Sequence, residues 1–251
     1  MSAPPPSLPA GRTPLRQRGN ALVLALLGLL VSALGAAGVL QGQSLQARHD
    51  AGKAEATILE HLRDAANNAI FDNLGPIQGG AAIGRNGVTI TPEQLGGEPV
   101  WTPSVAQLAA MGYLPPGWTA TRSTLNDAPY AIAFRRLPAG CVAAACDIEG
   151  QVVLAGAIGG GRSGGHGDGD GAVIGPILAR IGADSGVSLP TDPAHITGFG
   201  STWRLDSPVA GDPPGVGAVR IGKAWAGFGP FIRVGDAREP ERGPCHHERG
   251  D

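Results

Sequence analysis

The chain has 251 residues and a formal net charge of −2, and this nearly balanced charge gives no reason to expect a nucleic-acid partner. Glycine (41) and proline (22) are frequent and only 16% of the residues are charged, which is typical of short strands joined by turns and argues against a purely helical bundle. The length leaves room for one domain of ordinary size, or two small ones, after the N-terminal leader and apolar segment.

The N-terminal region combines a basic, proline-rich leader with an uncharged apolar segment at residues 19–40. About twenty apolar residues are enough for a helix to cross the hydrocarbon core of a bilayer. Arg12, Arg16 and Arg18 precede the segment, a bias that keeps the N-terminal end in the cytoplasm. The sequence therefore predicts a single-pass helix in the inner membrane and a periplasmic domain after it.

Three interpretations of this segment stay open. A signal peptide would be cut after the small residues near Gly35, and a plain membrane anchor would not be cut at all. A prepilin would lose its leader between Gly19 and Asn20 and keep the apolar segment.

The residues after the apolar segment have helical periodicity. Apolar side chains recur at spacings of three and four from Ala47 to Ala69, and Gly75-Pro76 then ends the pattern. We therefore expect one continuous helix from near Asn20 to near Asp72, with Gly52 allowing at most a bend. An anchor followed by an ordinary surface helix is the alternative. In this scheme residues 1–19 are the leader and residues 20–75 the stem.

Residues 76–239 are predicted to form a globular α+β domain, and residues 240–251 a polar tail. The predicted strands lie near residues 88–90, 130–137, 152–158, 203–205, 216–221 and 231–234, and residues 78–86 are expected to be a glycine-rich linker. Two helices are predicted, one capped by Thr102 that ends at Gly112 and one over residues 170–182 capped by Asp170. The aromatic residues near glycine and proline are interpreted as core residues in preference to a recognition surface.

Two of the three cysteines, Cys141 and Cys146, lie in one short loop between predicted strands. In an oxidising compartment they can pair and clip the loop, which leaves Cys245 as an odd thiol.

Three segments, WTPSVAQLAAMGYLPPGW, NDAPYAIAFRRL and QVVLAGAI, follow the leader and long helix in this order. Over roughly residues 14–235 the chain resembles the N-terminal constant region of the PilV-like, shufflon-type minor pilins of type IVb conjugative pili. The resemblance implies a pilin-like α+β fold with a long membrane-spanning N-terminal helix packed on an antiparallel β-sheet. It also implies cleavage after Gly19 by a prepilin peptidase, major pilin and other pilus subunits as partners, and recognition of a recipient cell at the pilus tip.

The chain departs from that family at two places. Pilins of this kind usually carry Glu at the fifth position after the cleavage site, where this chain has Leu24. Such a carboxylate can meet the free amine of a neighbouring subunit, so Leu24 predicts that the chain does not polymerise alone. The exchangeable C-terminal segment is also missing or vestigial. A membrane-anchored assembly protein or pseudopilin of a secretion system is the second hypothesis.

Several short motifs contain residue types that could support catalysis or metal binding, but each match is weak evidence for a site. Residues 161–165 match the G-x-S-x-G pattern around Ser163, yet glycines continue where a nucleophile elbow needs a helix. The surrounding loop, residues 159–171, is too long for a phosphate-binding turn, and Asp168 and Asp170 are too few for calcium. Cys245-His246-His247 are adjacent and lack a second cluster to complete a metal site. The sequence therefore predicts no enzyme, cofactor or metal, with an exported serine hydrolase as a third, weaker hypothesis.

Overall fold

The computed structural model describes residues 16–142, 145–158 and 170–223. The chain divides into two compact units, Met1–Ala47 and Arg48–Asp251. The described secondary structure comprises helices α1 to α4 and strands β1 to β10, and the boundary between the units falls inside the first helix.

The helices differ widely in length: α1 (Arg16–Asp72), α2 (Leu74–Gln78), α3 (Val105–Ala110) and α4 (Gly171–Ile181). The strands are β1 (Ile83–Arg85), β2 (Val88–Ile90), β3 (Glu93–Leu95), β4 (Glu98–Trp101), β5 (Tyr130–Leu137), β6 (Asp147–Leu154), β7 (Ser185–Leu189), β8 (Asp192–Gly198), β9 (Arg204–Asp206) and β10 (Gly217–Lys223). The prediction of one uninterrupted helix from near Asn20 to near Asp72 is confirmed.

Two antiparallel sheets are formed. Strands β1 and β2 pair alone, and the other eight strands lie in the order β3-β4-β5-β6-β10-β7-β8-β9. The last strand in the chain, β10, is thus inserted between β6 and β7. Two-residue turns with positive φ, Asn86-Gly87 and Gly96-Gly97, close the β1–β2 and β3–β4 hairpins. Such turns match the twist of paired strands, so short sequence signals fix these hairpins.

The main hydrophobic core lies between α1 and one face of the eight-stranded sheet. Strand β5 contributes Tyr130, Ile132 and Phe134, which alternate with outward-facing residues as the pleat requires. The helix contributes a face of fully or almost fully buried side chains: Ala56, Leu59, Leu62, Ala65, Ala66, Ala69 and Ile70. Burying each large aliphatic side chain stabilises the fold by about 2 kcal/mol. Asn67 of α1 also accepts a hydrogen bond from the backbone N–H of Gly222, 3.0 Å away.

A smaller core lies on the opposite face of the sheet. Trp203 packs with Val153, Ala218 and other residues of β8 to β10. Its ring lies so close to Gly186 and Gly198 that a Cβ at either glycine would come within 2.5 or 2.4 Å of ring atoms. The indole N–H donates to the carbonyl of Ala183 at 3.0 Å. Glycine at these strand positions therefore makes room for the indole ring.

The predicted pilin-like fold with a membrane-spanning stem is wrong. Among the residues that the structure describes, no helix is long and apolar enough to cross a membrane. An inner-membrane anchor is accordingly not shown. The structure has α+β content, and the second part of α1 packs on the antiparallel sheet.

Local details of the prediction also need correction. Residues 78–86 are not merely a linker, because they include β1. The cap of α3 is Ser104 and not Thr102: its hydroxyl accepts from the backbone of Gln107, whose side chain accepts from the Ser104 N–H in return. The strand predicted at residues 152–158 is β6, which begins earlier and ends at Leu154. The predicted strand at residues 231–234 and the tail lie outside the described residues.

Two predicted elements agree closely with the structure. Strand β5 has the expected bounds. Helix α4 begins after Asp170, whose carboxylate accepts from the Ala172 N–H at 3.0 Å, and ends at Ile181, before Gly182 with its φ of 75°. Of the aromatic residues assigned to the core, Trp101 and Trp203 are buried, and Tyr113 and Trp118 are only partly buried. The others, Trp225, Phe228 and Phe231, lie outside the described residues.

The crossing of α1 and α4 depends on Gly52. A Cβ at Gly52 would lie 2.4 Å from the carbonyl oxygen of Val173 and 3.2 Å from the Cβ of Pro176. The nearest obstacle is backbone, so the two helices would have to move apart to accept a larger residue.

We expect Gly52→Ala to destabilise the compact unit by about 1–3 kcal/mol in urea unfolding, because the added methyl group overpacks this crossing. Gly42→Ala is the matched control, because Gly42 is exposed on the same helix and a Cβ there meets nothing within 4 Å. The control should be neutral or slightly stabilising, as alanine favours a helix. Equal stability of the two variants would contradict the close-crossing interpretation.

Candidate functional site

The most distinctive surface of the described chain is the apolar surface of α1 before Arg48. Its large side chains are between 52% and 69% exposed: Val23, Leu26, Leu27, Leu29, Leu30, Val31, Val39, Leu40 and Leu45. Contiguous exposed apolar surface of this kind marks a site of interaction with another apolar surface. We call these nine residues the apolar helix surface.

The apolar helix surface is wider than a single stripe. At about 100° per residue, the side chains from Leu26 to Val31 cover roughly 200° of the helix circumference. The remaining side carries the small residues Gly28 and Ser32, and the Ser32 hydroxyl donates to the Gly28 carbonyl at 2.8 Å. A coiled-coil dimer buries only a narrow stripe, so this surface has room for contact with more than one neighbour.

The residues of the predicted cleavage site lie within the same helix. Gly19, Asn20 and Leu24 all fall inside α1, which begins at Arg16. No acidic residue stands between Arg16 and Arg48. The described helix therefore offers no carboxylate along this part of its length.

A buried polar pair joins α1 to the sheet further along the helix. The Glu55 side chain is fully buried, and the phenol of Tyr130 donates to its Oε1 at 2.5 Å. Thr124 donates to Oε2 across 3.5 Å, a marginal contact. Glu55 lies seven residues before Leu62 on the buried face of α1, so extending the apolar periodicity backwards could have found it.

Burial in this site, and then the hydrogen bond to Glu55, raise the pKa of Tyr130 well above its ordinary range. The phenol therefore stays protonated in the folded protein and remains a donor to the carboxylate. Such a pair fixes the rotation of the helix against the sheet, because breaking it leaves a buried acceptor without its donor.

Two ion pairs hold α4 beside α1. Arg48 lies 3.4 Å from Asp170 at the start of α4, and Arg180 in its last turn donates to Glu60 at 3.0 Å. Both pairs are partly exposed, so each contributes less than about 1 kcal/mol. Their contribution to the free energy of unfolding is therefore small, and their main effect is on the orientation of α4 beside α1.

The other candidate residues of the sequence do not converge on one site. Cys141 and Cys146 are joined by a disulfide between β5 and β6, with their Cα atoms 5.3 Å apart. Ser163, Asp168 and Cys245-His246-His247 lie outside the described residues. Among the described residues no group of three or more His, Cys, Asp or Glu side chains could hold a metal ion.

A charged cluster at β8 and β9 was not anticipated from the sequence. His195 contacts Asp192 at 2.7 Å and Arg204 at 2.9 Å, and Arg204 lies 2.8 Å from the other oxygen of Asp192. Asp206 adds a weaker contact to His195 at 3.6 Å. These four side chains satisfy each other across adjacent strands, which is a structural use of such groups.

Comparison of the chain with protein-family models, curated proteins and solved structures finds no match.

We expect the free energy of unfolding to fall above about pH 10, by up to 1.4 kcal/mol per pH unit, because the unfolded phenol ionises there while folded Tyr130 keeps its proton. This contribution to stability is fully present below that pH and is lost as the pH rises. Tyr130→Phe should be less stable by about 1–3 kcal/mol at neutral pH and should show a shallower alkaline slope.

Urea unfolding between about pH 8 and pH 11 measures both effects. Tyr113→Phe is the matched control, because Tyr113 is only partly buried and its hydroxyl contacts Asn73 and not Glu55. An alkaline slope that is identical in Tyr130→Phe and the unaltered chain would contradict the assignment.

Proposed function

We propose that the chain is a minor subunit of a type IVb pilus that acts at the pilus tip, in adhesion or in recognition of a recipient cell during conjugation. Its partners in this role are a prepilin peptidase, the major pilin and other pilus subunits, and the surface of the recipient cell. Its location is the periplasmic side of the inner membrane and then the pilus outside the cell. No catalytic activity is part of the proposal.

The observation that carries the proposal is the difference in burial between the two parts of α1. Its second part is buried against the sheet, whereas the apolar helix surface is exposed over roughly half of the helix circumference or more. A monomer rarely leaves so much apolar surface in water, so a multisubunit assembly with several neighbouring helices is the partner that best fits.

The chemistry of the compact unit supports an extracytoplasmic location. A disulfide closes the loop between β5 and β6, and disulfides persist mainly in oxidising compartments. The periplasm and the cell exterior are such compartments.

Leu24 supports a terminal position in a filament. Cleavage after Gly19 would create a new amine, which is costly in an apolar helix environment unless a carboxylate meets it. The described helix has no acidic residue before Arg48. The new amine of this chain can therefore pair with a carboxylate of one neighbouring subunit, but this chain has no carboxylate to pair with the amine of another. At the end of a filament a subunit has neighbours on one side only, so the missing carboxylate leaves no neighbouring amine unpaired.

We expect the mature protein to begin at Asn20 when the chain is produced together with a prepilin peptidase, because that site follows the basic leader and precedes the apolar segment. N-terminal sequencing and intact mass measure the cut. Gly19→Val should abolish cleavage, while Gly28→Val, inside the apolar segment, should leave it unchanged. A start near Ala36, or an uncut chain in the presence of active peptidase, would contradict processing as a prepilin.

We also expect the protein to enter filaments only together with a major pilin that carries the missing Glu, and to be found at filament ends. Shearing followed by immunogold labelling, with and without the major pilin, tests this. Leu24→Glu is the informative variant, because restoring the carboxylate should allow incorporation along the filament. Labelling of the unaltered chain along the whole length, or filaments built from it alone, would refute the tip position.

A further inference from the structure

A groove of about 420 Å³ lies on the face of the eight-stranded sheet opposite the one that packs on α1. Its floor is formed by residues 133–135 of β5 and 149–151 of β6. Its two sides are the β3–β4 hairpin and residues 205–208 at the end of β9. The volume lies within the range of ligand-binding sites in proteins. The role proposed above does not use this groove.

The carboxylates of the lining already have partners within the protein. Glu98 accepts a hydrogen bond from the Gly140 N–H at 2.8 Å, and Glu149 is paired with Arg220. The carboxylate of Asp206 lies 3.6 Å from the histidine of β8. Since these charges are met inside the fold, they do not call for a cationic occupant of the groove.

The rest of the lining is largely apolar. It includes Leu95 and Val100 of the hairpin, Ala133 of the floor, and Leu205 and Pro208 of the far side. Leu95 is a large aliphatic side chain and is 55% exposed. Apolar surface in a concave site is stabilised when an apolar occupant removes it from water.

The last described strand ends beside this groove. Lys223 of β10 pairs with Ile148 of β6, and the next residue of β6, Glu149, lines the groove. Neighbouring strands are about 4.8 Å apart, so the floor strands β6 and β5 lie about 5 and 10 Å from β10. The five residues that lead to Phe228 span up to about 17 Å, which brings this side chain within reach of the whole floor.

The segment that follows β10, residues 224–234, lies outside the described residues, and its sequence is strongly apolar. Trp225, Phe228, Phe231 and Ile232 lie within eight residues, and the first charged residue is Arg233. Residues 235–251 differ sharply, because they are rich in charge and contain no Phe, Trp or Tyr. Segments that remain in water are usually poor in aromatic residues, so the composition of this segment indicates that it is covered.

We propose that residues 225–232 of the same chain dock into this groove, with the side chain of Phe228 against Leu95 and Val100. An uncharged apolar segment fits a lining whose carboxylates are paired within the fold. The segment is tethered one strand away from the floor, and such a tether gives it a high effective concentration at the groove. This favours the chain's own segment over that of a separate polypeptide.

The test uses the full chain with Cys245→Ser, which removes the odd thiol, and two new cysteines. Gly229→Cys places one thiol beside Phe228 without changing an aromatic residue, and Leu95→Cys places the other in the groove. After mild oxidation, peptide mass mapping and non-reducing electrophoresis identify the bond. We expect a disulfide within one chain that forms at least about tenfold faster than in a control pair, because docking raises the effective concentration of the two thiols.

The control pair combines Gly229→Cys with Leu189→Cys. Leu189 is also an exposed leucine on a strand and does not line the groove. Phe228→Ser should slow the bond to Leu95→Cys to about the rate of the control pair. Phe199→Ser, at an exposed phenylalanine outside the groove, should change that rate by less than about twofold. Circular dichroism checks that each variant folds.

Three results would overturn the proposal. They are equal rates for the two cysteine pairs, an unchanged rate in Phe228→Ser, and a bond that forms mainly between two chains. The last result would assign the groove to the segment of a second copy and would exclude docking within one chain.

Discussion

The structure of the compact unit depends on how one face of α1 meets the sheet. Leu59, Leu62 and Ile70 bury their side chains there completely, and Glu55 places a carboxylate in the same apolar contact. An apolar face alone tolerates small rotations of a helix, whereas the bond from Tyr130 to Glu55 is lost if the helix turns. Gly52 sets the distance to α4 in the same way, since the carbonyl of Val173 occupies the space of a side chain.

Strand β10 joins the two halves of the sheet. Because β10 pairs with β6 on one side and β7 on the other, the end of the chain's described part ties the early strands to the late ones. Both faces of β10 are then covered, by the α1 core through Val219 and by the Trp203 cluster through Ala218. Most residues of the central strands β6 and β10 are consequently buried.

The elements with strong local sequence signals were predicted, whereas strands that are defined by pairing with distant strands were missed. Strand β5 and helix α4 were placed correctly because alternation in one, and a capping aspartate with a terminal glycine in the other, are local. Strands β3, β7 and β8 have no such alternation, and their pairing depends on residues distant in sequence. Of the site residues, the cysteine pair followed from spacing, while Glu55 and Tyr130 come together only when the helix packs on the sheet. A membrane span was predicted from the apolar segment, whereas no helix of the described residues is long and apolar enough to cross a membrane.

The two parts of α1 impose opposite requirements on its sequence. The part after Arg48 needs one buried apolar face. It accommodates Gly52 because the backbone of α4 packs against this glycine, and it accommodates Glu55 because the phenol of Tyr130 donates a hydrogen bond to the carboxylate. The large aliphatic residues before Arg48 are exposed in the described chain and spread over more than one side of the helix. Substitutions among Leu, Ile and Val should therefore be tolerated there but not in the buried part, because an apolar surface that meets several neighbours depends on total area more than on the shape of any one residue.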